Sequence, residues 1–406
     1  VSSLVLLQDK KAMTSESLES LLKSDKTLKI VLASILKPLE DVRLYQKIGK
    51  SLLKHLPKAE LVICAYHPSN KPLPLDTERV KFKRLFGKSR LHIARLGANA
   101  RLMAKVFSIR PDYLAIATWE LIPAAILLRL FLGVSVVYDV QENYAHNLRY
   151  TQVYPWFLRR ILAFKIQSLE WFLSFFKTNF ILAEACYQEE MPWLHPAVII
   201  QNKCLLSEIK PYQKKDFTPR KIPQLVYSGT ISKEYGIFDL IEWAEALEAK
   251  EILFSLKIIG FATIKAERNQ LKTWANSKKW VELIGVEQPV AHTEILEALQ
   301  NADAVLMPYK VNQSYVQRIP TKFFECLALQ KPMLISHNPF WENYLETFEE
   351  SKALFLDFKN RENIAQTWAE IQSKLSTAKL LDFSSLSKDI YWESQEQDLI
   401  NSFSFI

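Results

Sequence analysis

Glycine is scarce in this sequence, with eight in 406 residues. A phosphate cradle built from several glycines has no room, so any anion loop must be minimal. Cysteine is scarce too. Cys64, Cys186, Cys204 and Cys326 lie far apart with no C-x-x-C pair. That argues against a disulfide framework or a structural zinc site, and fits a reducing compartment. No Asp/His cluster has ligand spacing, so no metal is expected. Long apolar runs are missing as well. The most apolar stretch, 114–138, is interrupted by Glu120, Pro123 and Arg129, whereas a spanning helix needs about 20 mostly apolar residues. The apolar opening at 1–7 is stopped by Asp9, Lys10 and Lys11 and lacks the pattern of a secretion signal. The expectation is a soluble, cytoplasmic protein.

What is present is a large apolar fraction, 49%, with a net charge of +8. That excludes a disordered chain. The length suggests about two or three domains. The charge is concentrated: between 77 and 110 there are ten basic residues and one acid, Glu78. Apolar residues interleave with them, Phe82, Leu85, Phe86 and Leu91 among them. The stretch reads either as a basic amphipathic element suited to an anionic membrane surface or as a solvated helix face. No nucleic-acid module accompanies it, and no nucleic-acid partner is expected.

Strand and helix patterns alternate along the chain. Strands are predicted at 27–35, 59–65, 113–117, 134–138, 179–183 and 197–200, with helices at 42–56, 123–132 and 156–176. Continuous apolar strands between helices indicate a parallel sheet covered on both faces. The stretch 207–222 is polar, contains Pro and Lys, lacks apolar periodicity and reads as a linker. The alternation then restarts, with strands at 224–227, 254–259, 282–285, 304–308 and 332–336. The fold class is therefore α/β, with two doubly wound parallel-sheet, Rossmann-like domains facing across a cleft. The expected boundaries are 1–206 for the first domain, 207–222 for the linker, 223–385 for the second domain and 386–406 for a terminal helix. Residues 1–26 form a polar extension without a readable role.

Four stretches could carry chemistry. In RIPTKFFECLALQKP (318–332), Pro320 suits the first turn of a helix, where its missing N–H costs nothing. The free N–H groups there, with Arg318 and Lys322, make an anion site. Glu325, one turn inside, could accept hydrogen bonds from vicinal hydroxyls, which suits a nucleotide diphosphate with its ribose. The alternative is a surface Lys322–Glu325 pair worth little. In LVYSGTISKEYG (225–236), Gly229 allows close approach, Thr230 and Ser232 can donate to phosphate oxygens, and Lys233 adds charge. An ordinary strand–turn–helix connection is the alternative. In VYDVQENYAHN (137–147), a buried strand delivers Asp139, Gln141, Glu142, Asn143 and Tyr144 to its carboxyl end, where ligands bind in such sheets. His146 there is as well explained by capping. In ILKPLEDVR (35–43), Asp41 and Arg43 open a helix at the same sheet edge, although acids there also suit the helix dipole.

Together VYDVQEN, AVIIQN, LVYSGTISKEYGI, NADAVLMPY and RIPTKFFECLALQKPMLIS resemble, in order and spacing, the GT-B glycosyltransferases, specifically the retaining family 4 enzymes. The carboxyl end DIYWESQEQDLI resembles the helix that crosses back onto the first domain in that fold. The resemblance implies that Glu325 holds the donor ribose and that Gly229 and Thr230 lie beside the donor diphosphate. It puts Pro320, Thr321 and Lys322 at the helix start beneath the donor, with Tyr309 from NADAVLMPY in the same set. Glu142 matches the acid of the family's His-Glu pair. Three positions depart from the pattern: Gln141 replaces the usual histidine, Gln317 the first acid of the paired-glutamate motif, and Tyr235 a basic residue. The Gly-rich acceptor loop is replaced by KPLEDVR. Gln141 and Gln317 can still hydrogen-bond sugar hydroxyls.

The expectation is transfer of a hexosyl or N-acetylhexosaminyl group, with retention and without metal, from a UDP- or GDP-sugar. The acceptor would be lipid-linked or a surface polysaccharide of the cell envelope. Glu142, Gln141 and Gln317 would serve catalysis. Asp41, Arg43, Asp139, Asn143 and Tyr144 would meet the acceptor, and 77–110 would hold the protein at the inner membrane face. The rival expectations are a catalytically degenerate nucleotide-sugar binder or partner scaffold, and a nucleotide-sugar epimerase on the same fold.

Overall fold

The computed structural model describes residues 27–88, 92–150, 155–214, 220–311, 316–377 and 380–403. The extension 1–26 lies outside them. The chain forms two compact units, one of Val1–Asn202 with Ser394–Ile406 and the other of Lys203–Glu393.

The first unit is built on seven strands: β1 (Leu28–Pro38), β2 (Ala59–Tyr66), β3 (Val80–Phe86), β4 (Tyr113–Ile116), β5 (Ser135–Val140), β6 (Thr178–Leu182) and β7 (Ala197–Ile199). Their order is β3-β2-β1-β4-β5-β6-β7 and the pairings are parallel. The central strands are apolar and β-branched because both faces are covered. Val31, Ala33, Leu114, Ile116, Val136 and Tyr138 share one core cluster, while Ile30, Leu32 and Val137 are equally buried on the alternate positions. Helices α1 (Ala98–Ile109), α2 (Ile122–Leu132), α3 (Tyr144–Tyr150) and α4 (Trp156–Leu173) connect the later strands. No helix among the described residues is long and apolar enough to cross a membrane.

Two local readings change. The predicted helix at 42–56 begins as a π-helix, Val42–Gly49, and becomes α-helical only at Lys50–His55. The Asp41 carbonyl there accepts from the N–H groups of both Tyr45 and Gln46, which widens the first turn. The basic stretch 77–110 is not one amphipathic element. It divides into edge strand β3, a 3₁₀ turn at Ile93–Gly97 and α1, with 89–91 outside the described residues. Several of its cations are spent inside the fold. Arg79 donates to the carbonyls of Leu53, Leu56 and Ala59, Arg101 to those of Leu85 and Ala94, and Arg95 pairs with Glu120.

The Glu396–Asn401 helix packs in the first unit. Glu396 accepts from Ser51 Oγ (2.9 Å), Lys54 Nζ (2.6 Å) and His55 Nε2 (2.8 Å), and Asn179 donates to the Ser402 carbonyl.

The second unit has six strands: β8 (Gln224–Thr230), β9 (Ser255–Phe261), β10 (Val281–Val286), β11 (Ala304–Met307), β12 (Met333–Ser336) and β13 (Ala353–Leu356). The order is β10-β9-β8-β11-β12-β13, again parallel. Successive residues serve opposite cores. Val226, Val305 and Ile335 belong to one cluster, and Leu225, Leu306 and Leu334 to the other. Helices α5 (Ile237–Ala249), α6 (His292–Asn301) and α7 (Thr321–Ala328) bear on the site. Part of the stretch expected to be a linker belongs to this unit. Leu206–Ile209 is a helical turn with Ile209 fully buried, followed by a 3₁₀ turn at Lys210–Tyr212. A single apolar anchor in one turn leaves no periodicity to read.

Candidate functional site

The carboxyl end of β8 and the start of α7 meet in the second unit. Lys322, half-buried in the first turn of α7, donates its ammonium to the Ser228 carbonyl and lies 5.8 Å from the centre of the Tyr227 ring. Burial pushes its pKa below the ordinary lysine range. Gly229, next along β8, has φ +108°, and a Cβ there would sit 3.2 Å from Lys322 Nζ. The glycine therefore keeps a backbone conformation and a space that a side chain would compromise. Two stretches that the sequence presents separately are thus one locus. Lys322 is held by β8, and no ion pair joins it to Glu325 among the described residues, so the surface-pair alternative falls.

Glu325, buried one turn further, accepts a hydrogen bond at Oε1 from His292 Nε2 (3.0 Å). The other ring nitrogen of His292 faces Glu208 Oε2 at 3.3 Å. The interactions with Glu208 and then Glu325 outweigh burial and lift the His292 pKa to about 9. At neutral pH the ring is an imidazolium clamped between two carboxylates. It fixes the Glu325 side chain through one oxygen and leaves Oε2 without a protein hydrogen-bond partner among the described residues. Neither His292 nor Glu208 stands out in the sequence. The histidine opens α6 without a motif, and Glu208 lies in the apparent linker.

The other donor-side candidates divide by role. Pro320 is the cap residue before α7 and Thr321 its first residue, one position later than expected for the proline. The helix N-terminus, with the positive end of its dipole, lies at this locus. Arg318 is half-buried, its carbonyl accepting from Trp341 Nε1 (2.8 Å), and Gln317 is exposed. Ser232 is buried and caps the turn, accepting from the Tyr235 N–H. Thr230 and Lys233 are exposed at the mouth of the turn. Gly236 closes it at φ +75°, where a Cβ would strike the Pro308 carbonyl. Tyr309 stands edge-on to Tyr235 (5.9 Å) and Trp341 (6.0 Å), and burial raises its hydroxyl pKa. It is a wall of the locus.

In the first unit Arg43, Asp139 and Gln141 form a hydrogen-bonded network. Arg43 Nε lies 3.1 Å from both Asp139 oxygens and its Nη2 lies 2.7 Å from Oδ1, with the side chains 6% and 2% exposed. Gln141 donates to Asp139 Oδ2 at 2.7 Å. This ties the π-helix after β1 to the end of β5. Asp41 caps the π-helix, accepting from the N–H groups of Arg43 and Leu44. Asn143 accepts from the His146 N–H and donates to Glu190 (2.7 Å). The Tyr144 hydroxyl is raised by burial and by Glu142. Glu142 itself is exposed, and its contact is a 3.3 Å bond from Asn147. Of the catalytic candidates, Gln141 is held inward and Glu142 faces solvent. No group of three or more His, Cys, Asp or Glu that could hold a metal occurs among the described residues.

Residues 208–378 match the family described as glycosyl transferases group 1. No curated protein matches the chain. Among solved structures, sucrose-phosphate synthase from Thermosynechococcus elongatus is 13% identical with a TM-score of 0.68, over 93% of this chain and 98% of that one. HepE from Anabaena in complex with UDP and glucose is 12% identical with a TM-score of 0.61, over 93% and 100%. UDP-GlcNAc 2-epimerase from Neisseria meningitidis bound to UDP-GlcNAc is 11% identical with a TM-score of 0.54, over 93% and 99%. At these identities the likeness is one of fold. Within the second unit, residues 208–378 are thus similar to glycosyl transferases group 1, on a chain with the GT-B fold.

Proposed function

We propose that this glycosyltransferase moves a sugar, with retention, from a nucleotide-diphosphate donor to a lipid-linked or surface-polysaccharide acceptor. The observation that carries the donor half is the clamped Glu325, one oxygen held by His292 and the other open, one helical turn from Lys322, which reaches the strand end at Gly229. A fixed carboxylate accepts from two ribose hydroxyls without first losing side-chain freedom. The diphosphate lies at the start of α7 and against Gly229 and Thr230. Lys322, Arg318 and the positive end of the α7 dipole offset the charge that grows on it as the glycosidic bond breaks. In the retaining course the leaving phosphate oxygen takes the proton of the incoming acceptor hydroxyl on the same sugar face. Gln317 hydrogen-bonds the transferred sugar, and no metal is invoked. Uracil is the first base to test, since HepE is in complex with UDP and glucose and the epimerase is bound to UDP-GlcNAc.

A second reading, donor binding without turnover, has one observation in its favour: the Gln141 amide is already engaged with Asp139. Calorimetric titration with UDP, GDP, TDP, CMP and ADP tests the donor half. One nucleotide is expected to bind at micromolar level, and Glu325→Ala is expected to weaken it by ~1.5–3 kcal/mol. Absence of binding by all five would sink the proposal. Binding without transfer across an acceptor panel favours the second reading, and conversion of donor alone would make the protein an epimerase.

A further inference from the structure

The outer faces of α2 and α4 carry an apolar surface that the donor chemistry does not use. On α4, Phe157, Ile161, Phe164 and Trp171 recur at helical spacing and all stand outward, Phe164 at 72% and Trp171 at 52% exposed. Phe175 continues the stripe just beyond the helix at 62%. The neighbouring α2, which packs beside α4, exposes Leu130 and Phe131 at 60% and 70%. Soluble monomers rarely leave so many large apolar groups contiguous in water.

The exposed charge on α4 has one sign. Between 122 and 182 there are six Lys and Arg residues against three acids, Asp139, Glu142 and Glu170. Asp139 and Glu170 are buried, and Glu170 is bonded to the Tyr138 hydroxyl at 3.1 Å. The exposed stripe of α4 therefore holds aromatics, Arg160 and Lys165, and no acid. Aromatic rings with flanking cations on a helix of roughly 27 Å match the boundary between headgroups and acyl chains. A two-fold pairing of this face with a second copy would bring the cations against their own counterparts.

We propose that the exposed face of α2 and α4 rests on an anionic lipid bilayer, with Phe157, Phe164 and Trp171 inserted and Arg160 and Lys165 at the phosphates. This places membrane contact here and not at 77–110, whose arginines are largely consumed within the fold. The proposal is independent of the donor reading, because vesicle binding is measured without nucleotide.

The test is sedimentation of the full chain with vesicles of phosphatidylcholine alone or mixed with phosphatidylglycerol. Binding is expected only to the mixed vesicles. The combined variant Phe157→Ser/Phe164→Ser/Trp171→Ser should lower partitioning by more than about tenfold, Arg160→Glu/Lys165→Glu should also release the protein, and Leu96→Ser should not. In the unmodified protein, brominated lipid should quench tryptophan fluorescence, which needs no variant. No binding to mixed vesicles, binding lost only with Leu96→Ser, or a concentration-dependent dimer dissolved by the same aromatic substitutions would each overturn the proposal.

Discussion

His292 shows how a residue without a motif can govern one that has a motif. Its ring carries a proton because two carboxylates outweigh the cost of burial, and the proton holds Glu325 in place. The folded pKa of about 9 lies above the ordinary histidine value near 6.5. The stabilisation is therefore complete below about pH 6.5 and disappears as pH rises through about 9. His292→Gln should lower the melting temperature at pH 6 and leave it nearly unchanged at pH 10, and its weakening of nucleotide binding should follow the same window. A pH-independent difference in both readouts would refute the clamp. Glu325, Lys322 and Gly229 are legible in the sequence because each lies in a short segment whose local conformation fixes its position. His292 and Glu208 are not, because the contacts of His292 with Glu325 and with Glu208 join elements distant along the chain.

At the level of elements, strands are the most legible feature. Both sheets come from apolar runs whose neighbours in sequence alternate between two cores, and such runs announce themselves. What the runs leave open is how polar residues at their ends are spent. Asp139, Arg43 and Gln141 look equally fit for a substrate and for each other, and the structure gives them to each other, joining the π-helix after β1 to the end of β5. Removing one member leaves a buried charge without its partner, which costs ~3–5 kcal/mol. Asp139→Ala is therefore expected to lower the unfolding free energy by about that amount in urea. Arg43→Met/Asp139→Leu should recover much of the loss. A double variant no more stable than the single one would show that the pair does more than satisfy itself. The π-helical start at Val42–Gly49 is invisible to helical periodicity, because an extra residue in one turn does not change which side chains are apolar.

For the whole molecule, the apparent linker and the terminal helix are the parts that sequence patterns describe least well. Each is short, and each draws its stability from a surface made by remote residues. Glu396 is the clearest instance. Burial alone would raise its pKa, but the bonds from Lys54, His55 and Ser51 bring it below the ordinary carboxylate value. Its stabilisation is present above that value and is lost as pH falls through the lowered one. Glu396→Gln should cost stability at pH 7 and progressively less on acidification, as read by thermal melts from neutral to acid pH. Equal cost at every pH would mean that the carboxylate charge contributes nothing. The first unit draws on residues at both ends of the second, which is a single uninterrupted run from Lys203 to Glu393. On the ribosome, where domains fold as they emerge, the unit synthesised first is therefore completed last. The second unit has left the exit tunnel before the first sheet receives the helix that locks Ser51, Lys54 and His55.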